Sequence, residues 1–234
     1  MRIILNGASG RMGRAIIANR DTSDRFVALV DKNGGDYADI FDFSGDADVI
    51  IDFSSPSATE SVLEYATVRN IPAVIATTGH TAAQIKAIKR AGKNVPVFHS
   101  ANCSLGIAVL ISCVKSAAKA LPFADVEIIE RHHADKVDSP SGTAIAIAKS
   151  IPEKKMVYGR KGKRKSGETG VCSVRGGNIF GEHEVLLCFG DEVLSIKHSA
   201  LSRDVFAVGA LRAARFLINK RSGVYDMFSL INET

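Results

Sequence analysis

Residues 130–144 gather the side chains from which proton-transfer and anion chemistry are built: Glu130-Arg131-His132-His133-Ala134-Asp135-Lys136-Val137-Asp138-Ser139-Pro140-Ser141-Gly142-Thr143-Ala144. His132 and His133 can deliver a proton near neutral pH, and Lys136 adds a point positive charge. Ser141 is placed to cap a helix running through Ala148, which leaves the amides near Gly142 and Thr143 facing an anion. A carboxylate-bearing substrate that receives a hydride and then a proton needs this combination. Taken singly, a histidine is more often structural or exposed; the pair together with Lys136 and the Ser-Gly-Thr helix start points to a site. His132 and His133 are adjacent rather than spaced to converge, and no cysteine is near them, so no metal site is expected.

A second constellation opens the chain. The apolar run at residues 2–6 is followed by Gly7-Ala8-Ser9-Gly10-Arg11-Met12-Gly13 and then by a helical stretch at 14–18. A strand, a glycine turn and a helix in this order let backbone amides face a phosphate, with Gly7 and Gly10 supplying dihedrals and closeness that a side chain would block. Gly13 permits close packing of helix on strand. The pattern is G-x-x-G-x-x-G, with Ser9 where a second glycine usually stands, so its weight comes from position: it follows a strand, and the next strand ends in the acidic Asp31. Asp31 is the expected acceptor for a ribose hydroxyl, and Lys32 can pair with a 2′-phosphate; each is also an ordinary strand-end charge. NADH and NADPH both fit. Thr77-Thr78-Gly79 and Ala101-Asn102-Cys103-Ser104 fall at the ends of later strands, where ligands of parallel sheets bind and where small polar residues can approach a nicotinamide.

The elements that must position these groups can be read from hydrophobic patterning. Strands are expected at 2–6, 26–30, 48–53, 72–76 and 95–99, each a continuous apolar run of the kind buried on both faces. Helices lie between them: one from Pro56 to about Arg69 with Ser54 or Ser55 as cap, and one capped by Thr81 in which Ile85, Ile88 and Ala91 share a face. This alternation predicts a parallel, doubly wound, Rossmann-like sheet. From Leu105 the pattern changes to a long apolar helix through about Ala120, a strand at 125–131, and strands at 171–174, 184–189 and 193–198 with Gly190-Asp191 as a tight turn. That region reads as a central α+β substrate and oligomerisation domain with an antiparallel or mixed sheet. An alanine-rich helix at 204–218 and a short segment at 227–231 close the chain. The expected domains are 1–103 with 203–234 for the dinucleotide, and 104–202 for the substrate.

Composition bounds the rest. With 234 residues, 46% apolar and 24% charged, the chain can bury a core without metal or disulfides, and folding throughout is expected. Its four cysteines form no C-x-x-C pair, which suits a reducing compartment. No signal peptide and no membrane span are read, so a cytoplasmic protein is expected. The net charge of +5 is concentrated at Arg160-Lys161-Gly162-Lys163-Arg164-Lys165, where little is interleaved with aromatics; a solvated mobile loop is the expectation, not a nucleic-acid patch.

These segments, with Asp52-Phe53-Ser54, Val174-Arg175-Gly176-Gly177, Gly181-Glu182-His183 and His198-Ser199-Ala200, resemble the 4-hydroxy-tetrahydrodipicolinate reductase (dihydrodipicolinate reductase) family over nearly the whole chain. The resemblance implies reduction of a small cyclic dicarboxylate by NADH or NADPH with loss of water, in lysine and diaminopimelate biosynthesis. By the same resemblance His132 is the proton donor, Lys136 a second catalytic cation, and His133, Gly142 and Thr143 hold substrate carboxylates. It assigns the cofactor to Gly7, Ala8, Ser9, Gly10, Arg11, Met12, Asp31, Lys32, Ala76, Thr77, Thr78, Ser100, Ala101, Asn102 and Cys103, and implies a homotetramer. Ala76 stands where the family usually has glycine, Cys103 where an aromatic is common, and Ala134 and Asp135 where basic residues are frequent. About sixteen residues separate Asp31 from Asp48, which leaves little room for a crossover helix. Two rival readings are an amino-acid dehydrogenase of the same layout and a non-catalytic dinucleotide sensor; neither accounts for the cluster from His132 to Thr143 as well.

Overall fold

The computed structural model describes residues 1–152 and 155–233, which separate into two compact units, 1–105 with 203–234 and 106–202. The first is built on an all-parallel sheet of β1 (Arg2–Asn6), β2 (Arg25–Val30), β3 (Val49–Asp52), β4 (Ala73–Ile75), β5 (Pro96–His99) and β11 (Gly223–Tyr225), in the order β11-β5-β4-β3-β1-β2. Ile3, Ile4, Leu5, Val49, Ile50 and Ile51 are all fully buried, as expected for strands covered on both faces, whereas β2 departs from that expectation: it is an edge strand, and Phe26, Val27 and Leu29 are only partly buried. The helices α1 (Arg11–Ala18), α2 (Thr59–Arg69), α3 (Ala82–Ala91), α6 (Asp204–Leu217) and α7 (Met227–Asn232) belong to the same unit.

Several boundaries differ from the sequence reading for local reasons. The helix after β1 starts at Arg11, three residues early, because Gly10 serves as its cap. Pro56 opens only a 3-10 turn, Pro56–Ala58, ahead of α2. Ser55 holds the cap position of that turn, as expected, but makes no side-chain cap bond: its Oγ pairs with Ser57 Oγ at 2.8 Å, and Ser54 Oγ lies 2.5 Å from Asp52 Oδ1. Thr81 does cap α3, in a capping box with Gln84, and Ile88 and Ala91 are buried with Ile85 packed beside them. Between β2 and β3 the chain forms only a single 3-10 turn, Ile40–Asp42, in place of a crossover helix. Gly209 lets α6 approach closely: a Cβ there would fall 1.7 Å from the Cys103 carbonyl oxygen.

The second unit is a mixed sheet in the order β10-β9-β6-β8-β7, with α4 (Leu105–Ala120, Leu105 itself in the first unit) and α5 (Gly142–Ser150). Its strands are β6 (Asp125–His132), β7 (Lys155–Tyr158), β8 (Glu168–Arg175), β9 (Gly181–Phe189) and β10 (Glu192–Ala200). β6 runs parallel to β8 and antiparallel to β9. Alternation is strict on β6: Val126, Ile128, Glu130 and His132 are buried, and the residues between them are not. Val126 and Ile128 pack with α4 and α5 residues Ile107, Leu110, Val114, Ala144 and Ile147 in one core.

Sequence reading missed β7 and β11, short edge strands of four and three residues, for which periodicity carries little signal. The basic loop is also less free than expected. Arg160 pairs with Glu127 at 2.6 Å, and Arg164 pairs with Asp125 at 2.9 Å and with Glu127, so two of its cations are spent on β6 carboxylates while Lys161, Lys163 and Lys165 stay exposed.

Gly13 makes the tightest demand on the β1–α1 turn, since a Cβ there would lie 2.3 Å from the Gly7 carbonyl oxygen and 2.5 Å from that of Ala8. We predict that Gly13→Ala lowers unfolding free energy by about 1–3 kcal/mol in chemical denaturation. Gly176→Ala, where a Cβ meets nothing within 4 Å, should leave it within about 0.5 kcal/mol or raise it slightly. Equal effects would contradict the packing.

Candidate active site

In the first unit a cavity of about 450 Å3 lies over the turn between β1 and α1. Gly7 enters it with a positive φ of 85°, and a Cβ there would sit 2.7 Å from the Phe53 carbonyl oxygen, so glycine is required. Gly10 is different: its φ of −67° and ψ of 167° suit any residue, and a Cβ would come no closer than 3.3 Å to Gly7 O. The expectation of special dihedrals at Gly10 is therefore corrected; its missing side chain instead keeps the cavity wall open in front of α1, whose N-terminus has no side-chain cap.

Asp31 and Lys32 line the same cavity. The Asp31 carboxylate accepts from the Ser9 amide at 3.1 Å and the Asn33 amide at 2.9 Å, and hydrogen bonds from Ser9 and Asn33 hold it below the usual carboxylate range. Of the other residues expected on the cofactor, Ala8 is buried and Arg11 exposed, with Met12 partly buried beside it. Ala76, Thr77, Thr78, Ser100, Ala101, Asn102 and Cys103 stand past the ends of β4 and β5 and do not line this cavity. Thr78 and Ala101 are exposed there, and Ser100 Oγ and Asn102 Oδ1 are turned onto neighbouring backbone, to Asn102 O at 2.7 Å and Ser104 N at 2.9 Å. Cys103 is buried, and burial pushes its thiol up to about 12.

Sequence reading missed the opposite wall of the cavity, made by Phe53, Ser54, Ser55, Ser57 and Ser61. The signal was present: Ser54-Ser55 follows a parallel strand, the position already singled out at β4 and β5. It also missed the hub beneath. Asp52, fully buried, accepts from Asn6 Nδ2 at 2.8 Å, Ser54 Oγ at 2.5 Å, Ser54 N at 3.1 Å and Thr77 Oγ1 at 3.1 Å, which ties together the ends of β1, β3 and β4. Burial pushes its carboxyl up, against the pull of these donors.

In the second unit the structure brings His132, Arg175 and Ser141 at the start of α5 together around Glu130, with Lys136 in the loop between. Glu130 is fully buried on β6, with Oε2 2.5 Å from His132 Nδ1 and Oε1 accepting from the Ser141 amide at 3.2 Å. Arg175, from β8, grips both oxygens at 2.9 and 2.7 Å. Burial alone would raise the Glu130 carboxyl; hydrogen bonds from Arg175, Ser173, His132 and Ser141 outweigh it and bring it to about 2. Ser141 caps α5 by accepting from the Ala144 amide at 3.1 Å, and its Oγ is 3.1 Å from His183 Nε2. His183 lies edge-on to His132 with ring centroids 5.2 Å apart, and burial first, then the His132 imidazole, lowers it to about 3. Burial also lowers His132, with Glu130 opposing.

Lys136 donates to Asp138 Oδ1 at 2.7 Å, and this bond first, with a smaller pull from the Gly142 amide at the start of α5, holds the Asp138 carboxyl below its usual range. The loop thus pairs Lys136 with an acid close to the α5 N-terminus. Gly142 is exposed with nothing near an added Cβ, Thr143 is half-buried, and His133 is half-buried in the loop that Gly176 and Gly177 pin by bonds to His132 O and from Ala134 N. Glu130, Arg175 and His183 were not singled out from sequence for any chemical part. Among the described residues no group of His, Cys, Asp and Glu could hold a metal ion, and no helix is long and apolar enough to cross a membrane.

Residues 1–103 match the family model described as "Dihydrodipicolinate reductase, N-terminus", and residues 106–231 the one described as "Dihydrodipicolinate reductase, C-terminus". The chain is 46% identical to the 4-hydroxy-tetrahydrodipicolinate reductase of Caldanaerobacter subterraneus subsp. tengcongensis, covering 100% of this chain and 99% of that one. It is 43% identical to the protein of the same name from Clostridium tetani, over 99% and 97% of the two chains. Among solved structures, the dipicolinate-bound dihydrodipicolinate reductase from Paenisporosarcina sp. TG-14 superposes with a TM-score of 0.77 at 21% identity, over 97% of each chain, a likeness of fold. An aspartate dehydrogenase from Thermotoga maritima gives 0.54 at 14% identity, over 94% of this chain and 98% of that one, again a likeness of fold alone.

The depressed His183 makes stability depend on pH in a definite direction. Unfolded, the ring titrates near its ordinary value of 6.5; folded, it stays neutral down to about 3, so between these values the unfolded chain binds the extra proton. Its contribution is complete above pH 6.5 and is lost as pH falls toward 3. We predict that the unfolding free-energy difference between wild type and His183→Gln shrinks over this window, by up to about 1.4 kcal/mol per pH unit. A difference that is flat with pH in denaturant titrations would place a charged imidazole at this position.

Proposed function

The chain belongs to the dihydrodipicolinate reductase family, and we propose that it reduces 4-hydroxy-tetrahydrodipicolinate to tetrahydrodipicolinate with NADH or NADPH and loss of water, a step of lysine and diaminopimelate biosynthesis. The observation that carries the reading is the Asp138 carboxylate paired with Lys136 beside the start of α5, in the loop that follows the buried, carboxylate-paired His132 at the end of β6. A site that grips one carboxylate this way has the chemistry to grip a substrate's. The ligand named with the Paenisporosarcina enzyme, dipicolinate, is a ring with two carboxylates.

In this reading the unit 106–202 holds the ring. Lys136, with the amides of Gly142 and Thr143 at the α5 N-terminus and the His133 side chain, binds its carboxylates in place of Asp138. His132 delivers the proton that the ring needs once it has accepted a hydride, and Lys136 supplies positive charge while that electron density develops. The unit 1–105 with 203–234 holds the cofactor. The glycine cradle at Gly7, the open wall at Gly10, the α1 N-terminus and the acceptor Asp31 fit the phosphates and ribose of a dinucleotide, with Ala8, Ser9, Arg11, Met12 and Lys32 around them and 76–78 and 100–103 toward the nicotinamide end. The nicotinamide, when bound, supplies the hydride.

We also propose a cytoplasmic homotetramer formed through the 106–202 sheet. What supports the assembly is the sheet face away from α4 and α5, where Val174 is exposed and Ile129 and Leu186 are only partly covered, and the edge strand β10 with exposed Val193 and Leu194.

An assay that generates the unstable substrate with its upstream synthase and follows NADH or NADPH oxidation tests the function directly. His132→Gln should lower kcat by about 10²–10⁴-fold with cofactor affinity unchanged, because the proton donor acts in the transition state. Full turnover by that variant would remove His132 from the reaction. Lys32→Ala should weaken NADPH more than NADH; an equal effect would mean that Lys32 meets no 2′-phosphate.

A further inference from the structure

Among the described residues, the His132 ring makes its hydrogen bond at Nδ1, which lies 2.5 Å from Glu130 Oε2, and its Nε2 faces Gly181, where an added Cβ would lie 3.1 Å from that nitrogen. Gly176 N fixes the backbone at this point by donating to His132 O at 3.0 Å. We infer that Glu130 is the positioning residue for the proton donor: it holds the His132 imidazole with Nδ1–H turned to the buried carboxylate, so that Nε2 is the atom that carries the proton to the substrate. This rests on the reading of His132 as the donor.

The argument starts from the charge on Glu130. Its carboxylate is fully buried, yet it takes both guanidinium nitrogens of Arg175 and the Ser141 amide, all of them donors with nothing to accept. Such a group is ionised and has no proton to give, so the bond to His132 Nδ1 requires that nitrogen to be the N–H. A neutral imidazole has a single N–H, and with that one fixed at Nδ1 the second proton can be gained and lost only at Nε2. The step then balances. The Nε2–H bond breaks and a C–H bond forms on the ring carbon that holds the electron pair left after hydride delivery from the nicotinamide cofactor. The imidazolium charge is lost, and the Nδ1–H stays on Glu130.

The groups facing His132 set the energetics. Glu130, on the same strand, favours the imidazolium; Arg175 from β8 and Lys136 from the following loop oppose it; His183 from β9 meets it edge-on as a neutral ring; and burial opposes it most. Glu130 is the acid in this set that offsets burial and two cations. The same carboxylate, through Ser141 N, also fixes the first turn of α5, so the proton donor and the carboxylate-binding helix start are registered to one anion.

The test pairs a spectroscopic and a kinetic measurement on the full-length protein. In wild type labelled at the imidazole nitrogens, neutral His132 should show a protonated Nδ1 and an unprotonated Nε2. The opposite pattern overturns the inference whether or not any variant folds. In the coupled assay, Glu130→Gln should lower kcat by about 10²-fold or more. It should also move the alkaline limb of kcat/KM, where the donor loses its proton, down by about 1–3 pH units. Glu130→Asp, which keeps the charge, should return that limb to within about one unit of wild type. A Glu130→Gln enzyme with a lower kcat but an unmoved limb would make Glu130 merely structural. His132→Gln run alongside separates the two failures, since full turnover there would sink the donor reading itself.

Discussion

The second unit is organised by the need to keep one negative charge out of water. Moving an isolated carboxylate into a protein interior costs several kcal/mol even after relaxation, so Glu130 at zero exposure is tolerable only with partners on every side. Those partners come from different elements: Arg175 from β8, His132 two residues on along β6, and the Ser141 amide from the start of α5. Parallel pairing of β6 with β8, in which His132 lies opposite Arg175, puts the guanidinium within reach of both carboxylate oxygens. Antiparallel pairing with β9 sets His183 opposite Glu130, where it meets the Ser141 hydroxyl and lies edge-on to His132. Loss of the β6–β8 pairing would strand a charge, and so the network fixes strand register as well as chemistry.

The first unit solves the same problem without a cation. Asp52 is equally buried but has four neutral donor contacts and no cationic partner in them, and its carboxyl is pushed up where that of Glu130 is brought down. The difference follows from what each group holds. Glu130 grips a side chain proposed to change its charge during turnover, which calls for a firm anion. Asp52 grips three strand ends and the serine loop beside the cavity, for which hydrogen bonds suffice.

Much of this was legible from the chain. Continuous apolar runs gave the parallel strands, and the spacing of Thr81, Ile88 and Ala91 gave α3 with its cap, because local pattern and tertiary packing agree there. The segment 130–144 announced its chemistry by composition. The positioning groups were harder to find, although β6 held a signal: with period-two alternation, Val126 and Ile128 facing inward force Glu130 and His132 inward too, and a carboxylate on a core face demands a partner. The identity of that partner was not legible, because Arg175 lies 45 residues away and reaches Glu130 only through sheet pairing. Gly10 misled in the other direction, since a glycine in a glycine-rich turn invites an argument from dihedrals where the actual reason is an unobstructed cavity.

Both proposed anion sites are already engaged by acids of the chain itself. Asp31 takes the Ser9 amide in the glycine turn, and Asp138 takes Lys136. This amide and this ammonium are therefore not left unsatisfied before ligand arrives, and a substrate carboxylate at Lys136 exchanges one anion for another. Affinity then rests on the difference between the two. At Asp138 the exchange releases a partly exposed side chain to water, so a substrate carboxylate gains the site at the cost of breaking only one surface ion pair, worth little in itself. Asp31 need not leave, because a carboxylate offers about four acceptor positions and only two amides occupy them. A ribose hydroxyl can use the remainder, whereas a 2′-phosphate meets a like charge there and must rely on Lys32. On the proposed reading the choice between the two cofactors rests on Asp31 and Lys32, the two residues that follow β2, in a wall where a single 3-10 turn stands in place of a crossover helix.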